Sequence, residues 1–176
     1  MRNWMFFCAM ICFVGVIGAL PIRTWAVDAE TYGNWTAKCE EAHDGKEGGC
    51  FLLQNLVLRD GGQRVLQVAV GYVPNASEPI ALLSLPLGIS LPPGVSLRVS
   101  DHEPVQIPVE RCEPNGCRAG LKLKDDLLRA LRDNTQITVV FHDAQRHPIE
   151  VPVKLEGFAK GLDALRGRAS KPPSKH

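Results

Sequence analysis

The 176-residue chain has no G-x-S-x-G elbow, no Walker loop, no H-E-x-x-H pair and no G-x-G-x-x-G turn. Those spacings place a nucleophile, cradle a phosphate, hold a zinc ion or approach a dinucleotide, and their absence removes the usual enzyme signatures. Gly88-Ile89-Ser90 starts like the first of them but lacks the second glycine and stands among prolines. No C-x-x-C occurs, which argues against a redox-active dithiol and against close zinc knuckles. Charge of one sign is also missing, with 20 Lys and Arg against 19 Asp and Glu. A near-neutral chain is not drawn by its net charge to nucleic acid or anionic lipid. Only one apolar run is long enough to approach a bilayer's thickness, and it lies at the start.

That run extends from Trp4 to Leu20, after Arg2, and ends at Pro21 and Arg23. Thr24-Trp25-Ala26 puts small residues three and one before a cut, the layout of a secretory signal peptide over 1–26. Cleavage after Ala29 is the alternative site. Cys8 and Cys12 follow Phe7 and Ile11, which is not a lipoprotein box. The first 26 residues hold two arginines and no acid, so the remainder carries −1 where the whole chain carries +1. Once the signal is cleaved, no stable membrane span is expected. The reading is an exported chain of the periplasm, outer membrane or cell surface.

Four cysteines then remain, Cys39, Cys50, Cys112 and Cys117, an even set in an oxidising compartment. Of three possible pairings, the local one is expected: Cys39 with Cys50 and Cys112 with Cys117. Glu113-Pro114-Asn115-Gly116 is a turn sequence that brings its flanking cysteines close. A four-cysteine zinc site needs tighter pairs than these. No metal and no cofactor is expected.

The remaining pattern is strand after strand. Strands are expected over Tyr32–Cys39, Phe51–Leu58, Val65–Val73, Ile80–Leu85, Val95–Val99, Val105–Arg111, Arg118–Leu123, Gln136–Phe141 and Pro148–Val153. Val65–Val73 alternates, with Leu66, Val68, Val70 and Tyr72 on one face; Ile80–Leu85 reads as buried on both. A helix capped by Asp125 carries the stripe Leu127, Leu128, Leu131, and a second runs from Phe158 to Leu165. The fold class is mainly β: a single β-sandwich-like domain over 27–165 with one or two short helices, stapled by two disulfides, and a flexible basic tail over 166–176.

For chemistry, the sequence offers little. Adjacent acids such as Glu40-Glu41 point to opposite faces of a strand, and Asp125-Asp126 suits a helix start. His142 and His147 flank the turn of the last hairpin and are placed to face one another, with Asp143 beside them; a solvated hairpin end is preferred over a metal site. Pro86 to Gly94, PLGISLPPG, is unusually apolar for a connection. Loops lie outside and carry function, so Leu87, Ile89, Leu91, Pro92 and Pro93 are the candidate partner-binding residues. The opposing expectation is that they pack over the open end of the sandwich.

Four segments together resemble the invasion-associated locus B family: Tyr32-Gly33-Asn34-Trp35 followed by Cys39; Leu85-Pro86-Leu87-Gly88 with Leu91-Pro92-Pro93-Gly94; Arg111-Cys112 with Asn115-Gly116-Cys117; and Val151-Pro152-Val153 with Gly157-Phe158 and Asp163-Ala164-Leu165. Asn34 departs from an expected Asp. The resemblance spans about Tyr32 to Leu165 and implies an exported bacterial protein associated with invasion of host cells. It transfers no catalytic residue. The function read here is a non-enzymatic envelope binding factor, a virulence-associated protein whose partner is an unidentified protein or an envelope component, with a host-cell surface among the candidates. The alternative is a periplasmic structural or stress-related factor without host contact.

Overall fold

The computed structural model describes residues 30–39, 49–58, 62–73, 76–100 and 102–169. The expected signal peptide, the polar segment following Cys39 and the tail beyond Ala169 lie outside the described residues, as does most of the Asp60-Gly61-Gly62 turn.

The strands are β1 (Glu30–Tyr32), β2 (Trp35–Cys39), β3 (Cys50–Val57), β4 (Arg64–Tyr72), β5 (Ile80–Leu85), β6 (Val95–Arg98), β7 (Val105–Ile107), β8 (Val109–Glu113), β9 (Gly116–Lys122), β10 (Gln136–His142) and β11 (Pro148–Lys154). Two helices, α1 (Asp125–Asp133) and α2 (Phe158–Ala169), complete the described chain. All strand pairs are antiparallel, in a seven-stranded sheet of order β1-β2-β3-β4-β5-β9-β8 and a four-stranded sheet of order β11-β10-β6-β7. Their inner faces and both helices share one apolar core. The mainly β, sandwich-like domain with two short helices is therefore present as expected.

Alternation works as the sequence implies in β4: Leu66, Val68, Val70 and Tyr72 are buried on the inner face. Three expectations change. Tyr32–Cys39 is a hairpin of two strands, because Gly33 adopts φ +54° and turns the chain before Trp35. Val105–Arg111 divides at Pro108, which lacks the N–H a continuing ladder needs: β7 stays beside β6, while β8 joins β9 in the other sheet. In β5, only Ala81, Leu83 and Leu85 are buried; Ile80, Leu82 and Ser84 face outward and are half-buried.

Both helices also depart slightly from expectation. Lys124 holds the N-cap of α1 with no side-chain cap bond, and Asp125 is the first helical residue. The first-turn acids face the helix dipole, and the Leu127 backbone N–H holds the Asp126 carboxyl below its ordinary pKa. Leu127 and Leu131 point into the core. The second helix runs four residues past Leu165, and Phe158, Leu162 and Leu165 are its fully buried stripe.

A single backbone position ties the sheets together. The Leu155 N–H bonds the Thr135 carbonyl at 2.9 Å. In an antiparallel ladder the next pair, Lys154 with Gln136, is then non-bonded, so the Lys154 N–H and C=O point away from β10. Across the core, the Gln54 amide donates to that carbonyl at 2.8 Å and accepts from that N–H at 3.2 Å. Trp35 Nε1 donates to the same carbonyl at 3.0 Å. Gln54 is the buried polar side chain of the described core, and it is there because it takes the place of a missing strand. Gln54→Leu should therefore lower unfolding free energy by about 1–3 kcal/mol despite its greater apolarity; urea melts that match wild type would refute this.

The helices are joined by a forked pair. Arg132 NH2 donates to Asp163 Oδ1 at 2.6 Å, and NH1 to Oδ2 at 3.2 Å. The Arg132 guanidinium holds the Asp163 carboxyl below its ordinary range. A lowered folded-state pKa contributes stability above the unfolded value and loses it as pH falls through the folded one. Since Asp163 is largely exposed, the contribution should stay under about 1 kcal/mol. Asp163→Asn should thus melt slightly below wild type at pH 7, and the gap should close only as pH falls below the ordinary carboxylate range and through the lowered folded-state value.

Candidate binding surface

The Pro- and Gly-rich connection from Pro86 to Gly94 spans from the end of β5 to the start of β6, and its shape is fixed by backbone bonds. Ile89 forms an antiparallel bridge with Asp143. The Ser90 N–H donates to the His142 carbonyl at 2.9 Å. Leu91-Pro92-Pro93-Gly94 closes as a turn, with the Gly94 N–H donating to the Leu91 carbonyl at 2.9 Å. Gly94 sits at φ +66°, and a Cβ there would come within 2.7 Å of the Ile107 carbonyl oxygen. The turn therefore needs glycine both for its backbone angle and for close approach to β7.

This anchoring separates the five candidate residues. Ile89 turns inward, half-buried against the core. Leu87 and Leu91 are 56% and 48% exposed, and Pro92 and Pro93 are exposed with them. The middle of the loop packs over the end of the sandwich, while its shoulders face outward.

The neighbouring hairpin end is built around Asp143 rather than around a histidine pair. His142 pairs with Pro148 in the ladder, and His147 lies in the turn. Asp143 Oδ1 accepts the His147 backbone N–H at 2.8 Å, and Oδ2 lies 3.2 Å from His147 Nδ1. The backbone N–H of His147, then its ring, hold the Asp143 carboxyl below its ordinary pKa. His142 Nδ1 is buried without a hydrogen-bond partner among the described residues. The two imidazoles do not converge, and no group of three His, Cys, Asp or Glu among the described residues is placed to hold a metal.

The cysteines are joined as expected, Cys39 to Cys50 and Cys112 to Cys117. Each bridge links directly opposed residues of neighbouring strands, the first between β2 and β3 and the second across the β8–β9 hairpin. Cys112–Cys117 stabilises the sheet edge beside the loop. No described helix is long and apolar enough to cross a membrane.

Two features at this end escaped the sequence reading. Val57 and Leu58 are 55% and 51% exposed, although they close an apolar strand. Val57 faces outward because Gln54 faces the core, which turns Asn55 and Val57 to the other face, and Leu58 is exposed because it lies one residue past the end of β3. Arg64 and Arg118 are drawn together by strand register, for which adjacent sequence gives no signal. Replacing either cysteine pair by serine should cost about 2–5 kcal/mol, measured on oxidised protein; variants that melt like wild type would show that the bridges do not matter to stability.

The chain is similar to proteins of one kind. The family model described as invasion associated locus B protein matches residues 35–166. Invasion protein B homologues of Brucella abortus, from strain 2308 and from biovar 1 strain 9-941, are each 29% identical over 138 residues, covering 78% of this chain and 78% of theirs. The crystal structure of invasion associated protein b from Bartonella henselae superposes with a TM-score of 0.68 at 25% identity, covering 80% of this chain and 95% of that one. None of these names carries an enzymatic activity. With a two-sheet fold, two bridges and a family match across three quarters of its length, the chain belongs to the invasion-associated locus B family.

Proposed function

We propose that this chain is an exported, non-enzymatic binding protein of the bacterial envelope that engages its partner through the Pro86–Gly94 loop. Residues 1–26 act as a cleaved leader. The two disulfides fit an oxidising compartment. The observation that carries the binding role is the loop itself: Leu87, Leu91, Pro92 and Pro93 are held outward by a backbone fixed at Ile89 and Ser90. A prefixed apolar protrusion gives contact without the ordering cost of a mobile loop. The invasion-associated names of the relatives favour a host or envelope partner.

Two experiments test this. Protease shaving of intact cells, with a soluble periplasmic protein as leak control, places the chain outside if it is digested while the control survives; protection until the outer membrane is opened retires direct host contact. Leu87→Ser with Leu91→Ser should leave stability within about 0.5 kcal/mol of wild type and abolish envelope or host-cell association. Ile89→Ser should instead destabilise by about 1–3 kcal/mol through lost burial. Unfolding of the Leu87/Leu91 variant, or its undiminished association, would sink the binding role of the loop.

A further inference from the structure

The loop end of the sandwich carries more than the loop. Register in the seven-stranded sheet brings Val57 opposite Arg64, Gln67 opposite Ser84 and Ser84 opposite Arg118. The end of β3, the start of β4, the end of β5 and the start of β9 therefore form one rim. Strands lie about 4.8 Å apart, so Val57 and Leu58 sit roughly 10 Å from the residues leaving β5 toward Leu87. Among the described residues, the exposed large hydrophobic side chains are Val57, Leu58, Leu87 and Leu91. All four belong to this end.

The same rim is cationic. A groove of about 170 Å³ is lined by Arg64, Gln67, Ser84, Asn115 and Arg118, with the Gly116–Cys117 backbone. Glu113 is shared between two guanidiniums, its Oε1 3.0 Å from Arg111 Nε and its Oε2 3.5 Å from Arg118 Nε. One carboxylate cannot neutralise both. Arg146 lies in the turn after β10, outside the groove's lining, and Asp143 beside it is engaged by His147. At the opposite end, past β5's start and β9's finish, Glu78, Asp125 and Asp126 stand together with Lys122 and Lys124. The near-neutral net charge therefore hides a local positive excess.

Exposed aliphatic side chains at the same end as an arginine-lined groove match one surface best. Aliphatic residues enter the acyl boundary of a bilayer while basic residues meet headgroup phosphates, and the guanidinium fork fits a phosphate's oxygens. Single-stranded nucleic acid calls for exposed aromatic platforms, and the four exposed large hydrophobics here are aliphatic. We infer that the loop end docks on an anionic phospholipid surface, with Arg64 and Arg118 at headgroup phosphates and Val57, Leu58, Leu87 and Leu91 in the interfacial layer. The inference rests on the reading that this end is the binding face, and it names the partner.

The test is flotation of the purified exported chain with vesicles of phosphatidylcholine alone or doped with phosphatidylglycerol. Binding is expected only to doped vesicles, falling as salt is raised. Arg64→Ala and Arg118→Ala should each weaken it about fivefold, with unchanged melting temperature. Leu58→Ser with Leu87→Ser should weaken it further, and Lys122→Ala, at the far end of β9, should not. Absence of vesicle binding by folded wild-type protein, equal binding to undoped vesicles, or indifference to both arginine changes overturns the inference. If vesicles fail while the Leu87/Leu91 variant still loses envelope association, the binding face stands and its partner is a protein. If that variant also associates normally, the face itself is misassigned.

Discussion

The backbone of Lys154 is the point on which the two sheets close. As a residue of an edge strand it turns both its N–H and its C=O away from its only neighbour, and in a sealed core such groups need partners. Gln54 satisfies both, and Trp35 adds a second donor to the carbonyl. A leucine in place of Gln54 would leave the Lys154 N–H unmet and its carbonyl with Trp35 alone, which costs more than the apolar gain returns. This arrangement fixes where β11 crosses β3, and hence which inner-face residues meet.

The same region joins the two extremes of the folded chain. Trp35 lies 5.2 Å from Phe158 between ring centroids, in a tilted arrangement. The Asn34 N–H bonds the Glu156 carbonyl, and a Cβ on Gly157 would fall 2.1 Å from the Tyr32 carbonyl oxygen. Tyr-Gly-Asn-Trp near the start and Gly-Phe near the finish thus form one contact, where two backbones touch at a distance only glycine permits. The motifs that mark the family are structural here. The departure at Asn34 leaves this contact intact, since it uses the backbone.

The opposite logic governs the loop end. There the sequence spends proline and glycine on shape, and the outward side chains add nothing to the core. The two sheets close at Lys154, and Cys112–Cys117 ties β8 to β9 within the larger sheet beside the strand that leads to Leu87 and Leu91. Exposed aliphatic side chains carry no advantage for folding, so their concentration at one end of the sandwich is not a requirement of the core. Free sheet edges elsewhere are blunted by Pro148 and Pro152 in β11 and by Glu110, Arg111 and Glu113 in β8.

Much of the fold was legible in the residues themselves. Period-two alternation located β4 and its inner face, the Glu113–Gly116 turn located the second bridge, and apolar spacing located both helices, because these are local properties of chain geometry and solvent exclusion. The strand break at Pro108 was also written there, as a missing N–H, but which sheet each half joins was not. The candidate surface was half legible: the loop's composition singled it out, whereas its division into an inward Ile89 and outward Leu87 and Leu91 depended on bonds to Asp143 and His142. Val57, Arg64 and Arg118 became neighbours only through strand register, which is set by pairings distant in sequence. Sequence alone therefore determined the elements and the bridges; tertiary structure decided which faces meet and which side chains are left over, because both depend on backbone groups finding partners far along the chain.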